Sequence, residues 1–326
     1  MVVGRFDSDW FPPAEHMTLD PTIFHGAVAV PPMARRHDAA ATFDAAQNDR
    51  IFRHIAAGGI TRFMYGGNAF LYHASLSDFD AMAEWLSQYA AQYLVIPSIG
   101  PTFGHALEEA AMLARLPFSC AMLLPCTDPR DAAGLEAGVK RLADTAGKPL
   151  VIYIKDEANF GSDKEKGLDA IGRLIDSGEA VLVKYAVIRK DPADDHYLSS
   201  LLQRIDRSRV ISGIGERPAI SHMRDWGLRG FTTGSVSIAP DMSRLIWEAC
   251  NRGDFNTAAG LRDHFLPLED LRDAWGPSVV LHHAVELAGI AETGPIVPFL
   301  SPLSADRQQQ LRPVAQALLE MNLAHR

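Results

Sequence analysis

From about residue 26 the chain repeats one unit eight times: a short apolar run rich in β-formers, a turn marked by Gly or Pro, and a longer segment with helical spacing of apolar residues. The runs occupy 26–31, 60–65, 93–98, 118–124, 150–154, 180–185, 209–212 and 230–233. Each is long enough for a strand and too short for a buried helix, so the unit is strand, helix, parallel strand. Helix candidates between the runs include 43–57, 76–90, 134–146 and 219–226, with Thr42 and Ser75 as N-caps. Eight such units close naturally into a barrel, whereas a doubly wound open sheet has fewer strands and carries a Gly-rich dinucleotide turn after the first. Here the first run ends Val30-Pro31-Pro32-Met33, and Gly213-Ile214-Gly215 lacks the remaining fingerprint glycine. The sequence predicts an α/β protein, a (β/α)8 TIM barrel over 26–241. An arm at 1–25 precedes it, and a C-terminal helical extension of about three helices follows at 242–326.

A chain of 326 residues permits one domain of this size. Its net charge of -9 argues against sequence-independent binding to nucleic acid or anionic membrane, which both need a basic face. The expected partner is a small molecule. Cys120, Cys126 and Cys250 are too few and too widely spaced for a zinc site or disulfide framework, and are expected to be reduced. With no basic, apolar leader at the N-terminus and no apolar stretch of membrane-spanning length, the expected compartment is the cytoplasm.

Reacting groups of barrel enzymes sit at the C-terminal ends of strands. In the sixth run, Val181-Leu182-Val183-Lys184-Tyr185, alternation places Lys184 on the face of Leu182. An ammonium buried in an apolar strand shifts toward the neutral amine, the form a carbinolamine-forming nucleophile requires. The competing explanation is a lysine that snorkels from the strand end or pairs with an acid such as Asp194. In the fifth run Val151, Tyr153 and Lys155 share one face, which suits a phenol for proton transfer and a second ammonium for a carboxylate. Alone, Tyr153 would be a half-buried aromatic. The turn Gly66-Gly67-Asn68 could bring main-chain N–H groups to a carboxylate. With Lys155, Gly213 after the seventh run and Thr233 ending the eighth, it completes the candidate substrate-binding set. The adjacent His282 and His283 point about 100° apart on a helix and are assigned to packing or an interface.

In this order and spacing, Gly66 with Leu76-Ser77, Gly100, Pro125, Tyr153, Lys184, Ser212-Gly213, Gly230, Pro240 and Gly253-Asp254 resemble the dihydrodipicolinate synthase and N-acetylneuraminate lyase superfamily. The resemblance runs from about Gly26 to the last helix. It implies a homotetramer or homodimer and a 2-oxo acid such as pyruvate held as an imine on Lys184, with Tyr153 transferring protons and no cofactor beyond the covalent lysine. The reaction implied is cleavage, condensation or dehydration of a 2-oxo acid. Several family positions are changed. The usual Gly-Thr-Thr-Gly-Glu turn reads Gly66-Gly67-Asn68-Ala69-Phe70, the tyrosine-bearing stretch reads Leu124-Pro125-Cys126-Thr127, Ile154 follows the tyrosine, and the arginine of the next loop is missing. These changes argue against a true synthase. They also favour one alternative, a non-catalytic ligand-binding or regulatory protein on the same barrel. A metal-dependent hydrolase barrel would need His-x-His at the first strand end, where this chain has Ala27-Val28-Ala29-Val30.

Overall fold

The computed structural model describes residues 19–326, so most of the expected arm, residues 1–18, lies outside the described residues. Eight parallel strands close in sequence order: β1 (Gly26–Ala29), β2 (Arg62–Tyr65), β3 (Leu94–Ile99), β4 (Ala121–Leu123), β5 (Leu150–Ile154), β6 (Ala180–Tyr185), β7 (Val210–Ser212) and β8 (Gly230–Thr233). The ring is shut by β8 pairing with β1, with Gly26 opposite Gly230 and Ala29 opposite Thr233. Between the strands run α1 (Ala45–Ala57), α2 (Leu76–Ser87), α3 (Phe103–Leu113), α4 (Ala132–Ala146), α5 (Lys164–Ser177), α6 (His196–Leu202) and α7 (Glu216–Asp225).

Ser75 caps α2 as expected, accepting the N–H of Asp78. Thr42 does not cap α1. A bridge between Arg35 and Phe43 delays the helix, Thr42 bonds to Asp38 instead, and Asp44 takes the cap by accepting from Gln47.

Strand register decides which side chains enter the barrel. Met122 lies opposite Val151, Val151 opposite Leu182, and Lys184 opposite both Tyr153 and Ile211, so these residues share one face. The alternate residues pack against helices. Phe63 stacks on Phe52 of α1 at 3.9 Å between centroids, Tyr65 meets Trp85 of α2, and Ser212 bonds to His222 of α7. The barrel thus has two apolar layers, an interior plug and a strand-to-helix shell, and inward residues near the C-terminal strand ends line its mouth.

The helix α8 (Pro240–Asn251) belongs to the barrel, packing beside β1 and α7 as the eighth crossover helix. Four helices follow it where about three were expected: α9 (Phe255–Asp263), α10 (Leu266–Trp275), α11 (Pro277–Leu287) and α12 (Ala305–Ala324). The extension is joined to the barrel by polar contacts as well as apolar ones. Glu269 of α10 accepts the N–H groups of Glu216 at 2.9 Å and Arg217 at 3.4 Å, capping α7, which starts without a side-chain cap of its own. Ser278 of α11 donates to the carbonyl of Gly67 at 3.1 Å. His282 and His283 are packing residues: His282 is buried against the Gly294 carbonyl, and His283 accepts from the N–H of Leu303. All three cysteines are free.

Phe52 is fully buried and stacks on both Phe63 and Tyr89, at 3.9 and 3.8 Å. Replacing Phe52 by Ala should cost about 3–5 kcal/mol through lost burial and a residual cavity. Denaturant titration should show the midpoint fall, while ligand binding by the folded fraction stays unchanged because the ring faces away from the mouth.

Candidate active site

Lys184 enters the barrel interior because it sits two residues after Leu182 on a strand paired on both sides. It is 4% exposed, and its Nζ stands 4.2 Å from the centroid of the Tyr153 ring on the neighbouring strand. Two effects oppose each other there. A cation over a desolvated ring gains about 2 kcal/mol, which favours the ammonium. Burial favours the amine, and with a smaller contribution from the Lys155 charge it lowers the lysine from its ordinary 10.5 to about 7. That change corresponds to roughly 5 kcal/mol, so burial wins. No carboxylate enters this balance, and the pairing with Asp194 is not formed: Asp194 faces His196 at 4.0 Å. Burial thus favours the free amine over the ammonium much more strongly here than for a lysine in water.

Tyr153 has the opposite response to the same surroundings. Burial pushes its phenol up to about 12, so it stays protonated at neutral pH and can donate a proton to a neighbouring oxygen. Behind Tyr153 lies an apolar cavity of about 280 Å³, lined by Leu124, Leu135, Leu142, Ile152, Phe160 and the tyrosine itself.

The remaining expected residues divide. Gly66 is at the mouth as expected, with its Cα facing Met122, Ser98 and Leu124 so closely that a Cβ would stand 3.0 Å from the Met122 methyl and 3.1 Å from the Ser98 hydroxyl. Gly67 lies under the ring of Tyr72, which a Cβ would meet at 3.2 Å. The Asn68 amide is already engaged, donating to the carbonyl of Val30 at 2.8 Å and lying near the Ser278 hydroxyl. Gly213 allows β7 to leave the sheet against β6, its N–H donating to the Tyr185 carbonyl at 2.6 Å where a Cβ would clash.

Two placements need correction. Thr233 does not face the mouth: it is paired with Ala29 on the outer face, and its hydroxyl accepts from Val236 N–H and meets Glu216. Its neighbour Thr232 occupies the inward position. Lys155 is not on the inner face of β5 either, because the strand ends at Ile154 and the Asn159 side chain captures the N–H groups of Lys155 and Asp156 into a turn. The Lys155 side chain is exposed, yet its charge still reaches Lys184, and it does not pair with Glu157, which is held by Lys164 and Arg189.

One phenol at the mouth escaped the sequence pattern. Phe70 adopts a left-handed backbone (φ 57°), unusual for a bulky residue, and the tight turn at Leu71–His73 that follows brings Tyr72 back over Gly67. Burial pushes the Tyr72 phenol far above its ordinary range and the Tyr153 phenol adds to the shift, so the two hydroxyls are electrostatic neighbours. Among the described residues no group of three or more His, Cys, Asp or Glu side chains is arranged to hold a metal ion.

The family described as the dihydrodipicolinate synthetase family matches residues 80–318, which include Tyr153 and Lys184. The chain belongs to this family. Its fold is shared by dihydrodipicolinate synthase from Bacillus clausii (TM-score 0.78, 21% identity, covering 92% of this chain and 98% of that one). The synthase from Oceanobacillus iheyensis is similar at TM-score 0.79 and 20% identity, covering 91% and 97%. N-acetylneuraminate lyase, the sialic acid aldolase of Aliivibrio salmonicida, superposes at TM-score 0.75 and 19% identity over 90% and 96%. Comparison with curated proteins gives no match. Membership points to an aldolase-like lyase, and no helix among the described residues is long and apolar enough to cross a membrane.

The depressed basicity of Lys184 has a sign that stability measurements can test. The folded state holds the proton less tightly than the unfolded chain, so the cost of burying Lys184 is full below pH 7 and fades as pH rises toward 10.5. Lys184→Met should raise the thermal midpoint, most at pH 6 and least at pH 10. Equal stabilisation at both would show that the amine is not desolvated.

Proposed function

We propose that the protein is a Schiff-base lyase for a 2-oxo acid, with Lys184 as nucleophile and Tyr153 as the acid and base beside it. The observation that carries this reading is the Lys184 amine held 4.2 Å from the Tyr153 ring inside a barrel mouth, with burial keeping it near neutrality. The free amine attacks the ketone carbon, forming an N–C bond while the carbonyl oxygen takes a proton from the Tyr153 hydroxyl. The nitrogen returns a proton to the Tyr153 phenolate, which passes it to the new hydroxyl; the C–O bond breaks, water leaves, and the nitrogen lone pair closes the C=N bond of a protonated imine. That protonated imine accepts the electron pair left when a C–H or C–C bond at the adjacent carbon breaks, which is the step shared by cleavage, condensation and dehydration. The Lys155 charge favours the free amine before attack.

The changed positions bear on the branch of chemistry. Gly67 and Asn68 stand where the family places hydroxyls, and Cys126 where it places a tyrosine, so condensation of pyruvate with aspartate semialdehyde is expected to be slow or absent. Tyr72, supplied from the same chain and adjacent to Tyr153, is placed to take over proton transfer with a different second substrate. Assembly as a homodimer or homotetramer in the cytoplasm accompanies this reading.

Borohydride reduction with pyruvate or a longer 2-oxo acid should add the ligand mass to the peptide carrying Lys184. An adduct that survives in Lys184→Ala would overturn the assignment. Tyr153→Phe should form the same adduct at a rate lower by about 10²- to 10⁴-fold, the usual contribution of a positioned acid or base. Ligand binding with no reducible adduct would favour a ligand-binding role on this barrel.

The Lys155→Met variant tests the electrostatic coupling. Removing a positive neighbour raises the basicity of Lys184, so the pH at which imine formation reaches half its maximum should move upward. An unchanged profile would leave Lys155 a surface charge.

A further inference from the structure

The apolar cavity beside Tyr153 has a wall drawn from both faces of the sheet. Leu124 and Tyr153 stand at inward positions, whereas Leu123 and Ile152 point to the helices, and all four line it. One space can touch both faces only where the sheet is open. That opening lies between β4 and β5, whose last pair is Leu123 with Ile152. Beyond it Leu124 stays with β3, its N–H donating to the Ile99 carbonyl at 2.9 Å, while Tyr153 and Ile154 stay paired with β6. The two strands part, and the residues on either side of the gap also belong to the mouth. The Lys184 Nζ is 4.2 Å from the centroid of the Tyr153 ring, and a Cβ on Gly66 would stand 3.7 Å from Leu124.

The helix behind the gap leaves this space unfilled. On α4, Gly134 and Gly138 line the cavity one turn apart, although glycine weakens a helix. Neither has a left-handed backbone, and a Cβ would meet nothing nearer than 3.6 Å, the Asp131 carboxylate at Gly134 and the Phe103 ring at Gly138. Larger side chains would be tolerated there and would occupy the cavity. The polar groups of the wall are already engaged. Arg130 donates to the carbonyls of Asp128, Ala158 and Asn159, lacing the loop after β4 to the loop after β5. Asp131 caps α4, and the Asn159 side chain holds the turn after β5. What remains for a ligand is an apolar surface. At about 280 Å³ the space exceeds the ~150 Å³ in which an apolar protein cavity takes up a benzene ring.

We infer that this cavity receives an apolar substituent of the 2-oxo acid, a chain or ring of about six carbons that leaves the ketone at Lys184 and passes between β4 and β5 beside Tyr153. The inference rests on the lyase reading for the ketone and adds the class of substrate. Cys126, a small side chain where the family places a tyrosine, borders the same space.

The test is borohydride trapping at Lys184 with pyruvate, 2-oxooctanoate and 2-oxosuberate, the last matching the second in chain length but ending in a charge. In the unmodified protein 2-oxooctanoate should reach half-saturation at a lower concentration than pyruvate, by roughly fourfold for each methylene that enters the cavity. The charged end of 2-oxosuberate should abolish that gain. Gly138→Leu, which fills the cavity with a better helix former, should also abolish it and leave pyruvate unchanged. Equal saturation by pyruvate and 2-oxooctanoate, or a gain that survives Gly138→Leu, overturns the inference. Leu135→Phe fills the same space and carries the comparison if the leucine variant fails to fold. Should no acid be trapped at all, the lyase reading falls separately. Calorimetric titration of 2-oxooctanoate into Lys184→Ala, with and without Gly138→Leu, then decides the cavity without an imine; equal affinities would overturn it.

Discussion

Everything at the mouth depends on the register of β5 against β6. The pairing sets Tyr153 opposite Lys184 and Val151 opposite Leu182. A slip of β6 by one residue would turn the amine outward into the shell where Tyr185 bonds to Asp195, and would send Tyr185 inward in its place. Because β6 is paired on both sides and the sheet is closed, such a slip would have to be absorbed by every other strand. An unpaired amine is costly in an apolar interior, and barrel closure is the constraint strong enough to hold it there.

The same closure explains why the C-terminal helices matter. At the β2 turn the barrel's own loop presents Gly66, Gly67 and an Asn68 already bonded to Val30, with Tyr72 folded back over them. The extension adds polar groups to it: Ser278 steadies the turn, and Glu269 supplies the cap that α7 lacks. These are modest contacts, each on the scale of about 1 kcal/mol, but they act at fixed points on the rim. They define where α10 and α11 lie, which area burial alone does not.

The eight strands and the Lys184–Tyr153 pair were legible because period-two alternation holds wherever a strand is regular. Lys155 fails for a local reason: β5 ends with its apolar run at Ile154, and one side chain, Asn159, turns the next backbone N–H groups away, so alternation does not carry on to Lys155. Thr233 fails for a distant one, since its parity is set by the closing pair with Ala29, some two hundred residues away, and no property of the eighth run reveals it. Tyr72 carries no periodic signal at all, since it lies after a left-handed residue in an irregular turn. The match to the family model begins at residue 80, beyond the β2 turn, which is the part of the mouth where this chain's sequence differs most from the family pattern.

The order in which the mouth is completed follows from its two sources. During synthesis Tyr153 and Lys184 emerge well before α10 and α11, so a growing chain can close its ring of strands with the amine in place and the rim above β2 and β8 still bare. Docking of α10 and α11 on that rim is thus a late step of folding, one that follows the making of every strand.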